Sequence, residues 1–115
     1  MRLTTDFWVS ALIRRVFGDG GFAAIVKRGA TEAGAVFIIA RDRMGTVRLF
    51  GPAAQTEYGI DIIDERRFSE LLSTIDDTEA EARLDKEKRF DSDIWVVEIE
   101  AGRTAVEELF PLVSG

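Results

Sequence analysis

Ala35-Val36-Phe37-Ile38-Ile39-Ala40-Arg41-Asp42-Arg43-Met44-Gly45-Thr46-Val47-Arg48-Leu49-Phe50-Gly51 is the stretch on which the fold turns. From Ala35 to Ala40 the run is apolar without a break, the pattern of a strand covered on both faces. Asp42-Arg43-Met44-Gly45 has turn chemistry, and Thr46 to Gly51 resumes with β-branched and aromatic residues. The segment therefore reads as a hairpin whose first strand lies inside a sheet. Such a strand needs neighbours and two cover layers.

Upstream, Phe22 to Arg28 reads as another strand, separated from the hairpin by a loop from Gly29 to Gly34. Before it, residues 7 to 17 place Trp8, Leu12, Val16, Val9, Ile13 and Phe17 on one half of a helical wheel, with Ser10, Ala11, Arg14 and Arg15 on the other. Thr4 or Thr5 is the expected cap, and Gly18 the expected left-handed stop. Downstream, Pro52 to Glu65 has no clear period and reads as a long loop or an irregular strand. Arg66 to Ser73 alternates Phe68 and Leu72 against Ser69, which predicts a fourth strand. Asp76, Asp77 or Thr78 opens a helix expected from about residue 78 to 90. Thr78-x-x-Glu81 has capping-box spacing, and Glu79/Arg83 and Asp85/Arg89 are (i, i+4) pairs. Its apolar side is thin: Ala80, Leu84 and Phe90. In Ile94 to Glu100, Trp95, Val97 and Ile99 share one face while Ile94 and Val96 begin the other. Ala105 to Leu109 predicts a short terminal helix packed by Phe110. The order α-β-β-β-β-α-β implies an α+β fold, a mainly antiparallel four- to five-stranded sheet with two helices packed on it, in a single domain spanning residues 1–115.

Composition narrows the chemistry. Leu, Ile, Val and Phe make up 35 of 115 residues, enough for a core, and Cys, His and Asn are absent. That removes disulfides, thiolate and imidazole catalysis and the usual zinc ligands. Net charge is −6, split between 8 basic and 4 acidic residues in positions 1–50 and 7 basic and 17 acidic thereafter, so the halves carry +4 and −10. An acidic whole disfavours nucleic acid and anionic membranes. The longest apolar run, six residues, is far too short to span a bilayer. With Arg14-Arg15 where a cleavage site would fall, the N-terminus reads as a folded helix and the protein as cytoplasmic.

The order of elements is similar to that of endonuclease-like folds, whose nuclease members carry metal-binding carboxylates on central strands. Residues 35–41 and 46–51 contain none, and Asp85-Lys86-Glu87-Lys88 falls on the outer helix. Asp91-Ser92-Asp93 lacks the further ligands and the glycine of a calcium loop and reads as a turn. Gly29 to Gly34 lacks the Lys-Ser/Thr of a phosphate loop. Arg14, Arg15, Lys27, Arg28, Arg41, Arg43 and Arg48 read as a solvated face pairing with the acidic half, or else as a patch docking an acidic partner.

Arg89-Phe90-Asp91-x-Asp93-Ile94-Trp95-Val96-Val97-Glu98-Ile99-Glu100 resembles the bacterial family called domain of unknown function 1491, found mostly in alphaproteobacteria. Arg2-Leu3, Trp8-Val9, Ala11, Arg14-Arg15, Arg28-Gly29, Ala33-Gly34 and Arg83-Leu84 agree with the same pattern. The resemblance implies a small cytoplasmic domain and carries over no activity, substrate or catalytic residue.

The reading that follows is a non-catalytic protein-interaction or regulatory module that binds a protein partner, itself included, through a sheet edge or the helix face bearing Arg14 and Arg15. One alternative is a carboxylate/arginine enzyme acting on a small molecule or nucleic acid through Asp91, Asp93, Arg66 and Arg67. Another is weak RNA binding by the basic half. The binding candidates are Arg14, Arg15, Arg28, Arg66, Arg67, Asp91, Asp93 and Trp95. No catalytic or metal-ligating residue is nominated, and no cofactor is expected.

Overall fold

The computed structural model describes residues 3–54 and 66–113. In chain order the elements are α1 (Thr5–Gly18), β1 (Phe22–Lys27), β2 (Val36–Arg41), β3 (Val47–Pro52), β4 (Phe68–Thr74), α2 (Asp77–Phe90) and β5 (Trp95–Glu100), followed by a 3₁₀ turn at Val106–Glu108. The strands form one five-stranded sheet in the order β1-β5-β2-β3-β4. Only the β5–β2 contact is parallel. The α+β architecture and its element order are as the sequence predicts. The irregular stretch from Gln55 to Glu65 lies outside the described residues.

The meander is confined to β2-β3-β4, because β5 inserts between β1 and β2. The cause lies in how the side chains pack. β5 is apolar on both faces, with Trp95, Val97 and Ile99 packed on the α1 side and Val96 on the α2 side. β1 leaves Phe22 and Val26 half exposed, so it takes the edge while β5 takes the doubly covered place. β2 is buried from Val36 to Ala40, as its unbroken apolar run requires. Val9, Leu12 and Val16 of α1 and Leu109 and Phe110 of the C-terminal segment close one face; Ala80 and Leu84 of α2 close the other.

Several local expectations change. Thr4 caps α1 through Oγ1, which accepts from the Phe7 amide at 3.2 Å. The helix continues through Gly18, and the left-handed residue is Gly20, at φ 88°. A bulge in the β3–β4 ladder puts Phe68 on the α1 side and both Leu71 and Leu72 on the α2 side, so the simple alternation of Phe68 and Leu72 fails. Asp76 caps α2, accepting from the Thr78 amide at 2.9 Å. Glu79 instead accepts from the Thr74 hydroxyl, which leaves Arg83 to pair with Glu87 and Asp85 with Lys88. Phe90 is 89 % exposed rather than part of the apolar stripe.

Candidate functional site

Four of the nominated residues share one place, the other four lie apart from it, and the structure adds a place of its own. Arg28, Asp91, Asp93 and Trp95 meet at a junction where the loop after β1, the turn before β5 and the start of α1 are tied together. The Asp91 carboxylate accepts from the Asp93 amide at 2.9 Å, an Asx turn that aims the Asp93 carbonyl at the loop, where the Ala30 amide donates to it at 2.9 Å. Gly29 permits this approach, since a Cβ there would overlap that carbonyl. Buried Trp95 donates from Nε1 to the Ala30 carbonyl at 2.7 Å, and the Arg28 guanidinium lies 5.1 Å from its ring centre while pairing with Asp6. Lys27 donates from Nζ to the carbonyls of Ser92 and Ile94.

The same junction fills the amide end of α1. The Thr5 and Asp6 amides donate to the carbonyls of Glu32 and Thr31, and the Thr5 hydroxyl donates to that of Gly34 at 2.9 Å. With the Phe7 and Trp8 amides bonded to Thr4, the first turn has no donor left for an anion. Chemically the junction fastens backbone segments together. Two carboxylates do lie close in sequence at Asp91 and Asp93, but both are exposed in the turn.

Arg15 and Arg66 serve as fasteners elsewhere. Arg15 donates to the carbonyls of Glu108 and Leu109, pinning the C-terminal segment beneath α1. Arg66 donates to the Leu3 carbonyl at 3.1 Å and lies over the Trp8 ring. Arg67 is engaged as well and gives its carbonyl to the Ala53 amide. Arg14 is exposed on α1. The cations do not converge: Arg41 sits between Asp77 and Glu98, and Arg48 between Glu70 and Glu107. The hydrogen bond to Asp77 raises the pKa of Arg41, and that to Glu70 raises the pKa of Arg48. Glu107 is held below the ordinary glutamate value by its own backbone amide and by Arg48. A carboxylate so placed is ionised at neutral pH, unlike a general acid, whose pKa must lie near the working pH. Among the described residues no three Asp or Glu side chains gather as a metal site, and no helix is long and apolar enough to cross a membrane.

The added place was not nominated from the sequence. At the open edge of the sheet, Phe17 of α1 and Phe22 of β1 meet edge to face at 5.7 Å, each about half exposed, and Val26 is 54 % exposed farther along β1. β1 bonds to β5 on one side, and no described backbone group bonds to its other side. A signal existed: β1 is apolar at five of six positions, Phe22 to Val26, a composition that two cover layers would be needed to bury.

The family model described as Protein of unknown function (DUF1491) matches residues 3–107. The chain is similar to the solution structure of protein Atu0922 from A. tumefaciens, with 49 % identity and a TM-score of 0.85 over 100 % of this chain and 98 % of that one. It is similar also to the crystal structure of a DUF1491 family protein from Caulobacter crescentus CB15, at 39 % identity and a TM-score of 0.76 over 99 % and 100 % of the two chains. An NMR structure of a DUF1491 family protein from the same organism gives 36 % identity and 0.79 over 99 % of each chain. No curated protein matches the chain. The motif residues that suggested the relationship, Arg28-Gly29, Ala33-Gly34 and Asp91 to Trp95, are those that build the junction, and the chain belongs to the DUF1491 family.

Proposed function

We propose that this protein is a cytoplasmic, non-catalytic interaction module that recognises a protein through the open edge of β1 and the aromatic pair beside it. One observation carries the reading: among the described residues the apolar strand Phe22–Lys27 is unpaired along its outer side, with half-exposed Phe22 in it and half-exposed Phe17 beside it. An edge of this kind is a template for another strand, and soluble proteins ordinarily protect it. The sequence placed the docking surface at a sheet edge or at the helix face of Arg14 and Arg15. The sheet edge is favoured, since Arg15 is occupied with the carbonyls of Glu108 and Leu109.

Site-specific photocrosslinking in cells tests this. A benzophenone side chain at position 22 is expected to capture protein adducts, and the same group at Ile75, which is 83 % exposed on the far side of the sheet order after β4, is expected to capture none. Absent adducts at 22, or equal capture at both positions, would overturn the reading.

A further inference from the structure

Resting on the docking reading above, we infer that the partner at the β1 edge is a second copy of this chain, related by a two-fold axis through Ala24. The sheet and the helix layer lead to the same axis by separate routes.

In the sheet, antiparallel pairing of β1 with its own copy about Ala24 sets Phe22 opposite Val26 and Ala23 opposite Ile25 at both ends. Aromatic and β-branched side chains opposed in this way stabilise a ladder. The β1–β5 register skips Val26, between Ile25 and Lys27, so a ladder at the edge reaches no farther than Val26.

In the helix layer, one flank of α1 faces the far side of the sheet: Trp8 stacks on Phe68 of β4, and Arg15 reaches Glu108 and Leu109. The opposite flank, at 100° per residue, is Asp6, Ser10, Ile13 and Phe17. It lies over β1, because Asp6 pairs with Arg28 at one end and Phe17 meets Phe22 at the other. The midpoint of that flank is about 8 Å from Phe17 along the helix. Ala24 is about 7 Å from Phe22 along the strand. With the two rings in contact, one axis serves both layers. Room for two helices also exists. Paired edge strands lie about 4.8 Å apart. Helices need roughly 8 to 10 Å, so each must sit about 2 Å inward from its own β1. α1 touches β5 as well as β1, a placement in the required direction.

A peptide strand alone would satisfy the edge and leave the α1 flank bare, whereas a second copy brings strand and helix at matching height. The contact wall is about 20 Å long and about 20 Å high, two layers deep. Its flat footprint of about 400 Å² per copy falls short of the roughly 800 Å² of a standard interface, which makes the pair a weak, transient one.

The chain contains no cysteine, so a single thiol can be placed on the axis. Directly opposed antiparallel residues have Cα atoms about 4.5 to 5.5 Å apart. That lies inside the range of about 4.4 to 6.8 Å a disulfide needs. Mild oxidation of Ala24→Cys is expected to give mostly covalent dimer, and of Met44→Cys at the exposed β2–β3 turn only traces. Sedimentation of the unmodified chain is expected to show a reversible dimer, which Val26→Lys shifts at least about tenfold to higher concentration with its circular dichroism unchanged. Equal crosslinking of the two thiols, a strict monomer at millimolar concentration, or a dimer indifferent to Val26→Lys would overturn the inference. Position-22 adducts to a different protein, with no Ala24 disulfide, would also overturn it while leaving the edge reading standing; no adducts at all would remove both.

Discussion

Gly29→Ala is the sharpest perturbation of the junction. A methyl at position 29 would overlap the Asp93 carbonyl and come within 2.5 Å of the Ile94 carbonyl oxygen, and both obstacles are backbone, which cannot swing aside as a flexible side chain does. Overpacking of this kind costs about 1 to 3 kcal/mol. Displacing the loop also weakens the Ala30–Asp93 and Trp95–Ala30 hydrogen bonds, at 2.9 and 2.7 Å. Each is worth about 1 kcal/mol. Lower entropy of the unfolded chain returns about 0.4 to 1 kcal/mol. The net expectation is a loss of about 3 kcal/mol. For a chain of this size that lowers Tm by about 10 to 15 °C.

Gly18→Ala supplies the opposite sign. Nothing lies within 4 Å of a Cβ at Gly18, which closes α1 without a positive φ. Alanine there is expected to stabilise by about 0.5 kcal/mol. Urea unfolding followed by circular dichroism, with equal m-values, measures both variants. A Gly29→Ala protein within about 0.5 kcal/mol of the parent, alongside a stabilised Gly18→Ala, would refute the account of the junction.

Thr5→Val removes the hydroxyl that donates to the Gly34 carbonyl in a fully buried place, and is expected to cost about 1 to 3 kcal/mol by the same unfolding measurement. Asp19 titrates below the ordinary aspartate value of 3.8, chiefly because it accepts from the Thr104 backbone amide and then from the Thr104 hydroxyl. A depressed carboxylate contributes in full above its unfolded value and loses that contribution as pH falls through the folded one. The stability gap between the parent and Asp19→Asn should therefore hold from pH 7 to about pH 5 and shrink below about pH 4; a gap that widens on acidification refutes it. Phe90→Glu is expected to leave stability within about 0.5 kcal/mol, because the ring is 89 % exposed, and a larger loss would mean that it packs.

Patterning over single elements was legible because burial acts residue by residue. Ala35 to Ala40 announced a doubly covered strand, and Trp95, Val97 and Ile99 announced one face of another. Strand order was not legible, because it depends on which strand loses least by sitting at an edge. That comparison between β1 and β5 involves the tight approach of Gly29 to Asp93, a contact far apart in sequence. Charge was legible in part: Arg41 and Arg48 do pair with the acidic half, as one reading of the basic residues had it, but two other cations do not. Lys27 and Arg15 look like free cations in a sequence, yet both satisfy backbone carbonyls supplied by distant segments. Trp95, Arg28 and the Asp91–Asp93 turn were singled out separately, with Asp91 and Asp93 grouped instead with Arg66 and Arg67; the structure brings the first three together through backbone fastening. The aromatic pair was missed because Phe17 fits the apolar half of the helical wheel, and only the turn at residues 19–21 brings Phe22 back beside it.

The two edges of the sheet are treated differently by the rest of the chain. At β4, Phe68 donates to the Pro111 carbonyl and accepts from the Val113 amide, so the C-terminal segment covers the start of that strand, and Ser69, Glu70 and Ser73 keep much of it polar. At β1 the only charge is Lys27, and its ammonium is turned inward onto the Ser92 and Ile94 carbonyls, where it cannot repel an incoming strand. An apolar edge left this way would add strands without limit if the opposite edge could accept them. Covering the start of β4 hinders that head-to-tail growth, and the irregularity after Ile25 limits the ladder at β1 to a few residues. What remains open to the edge is a contact that closes on itself, which is the condition for a finite pair rather than a fibre.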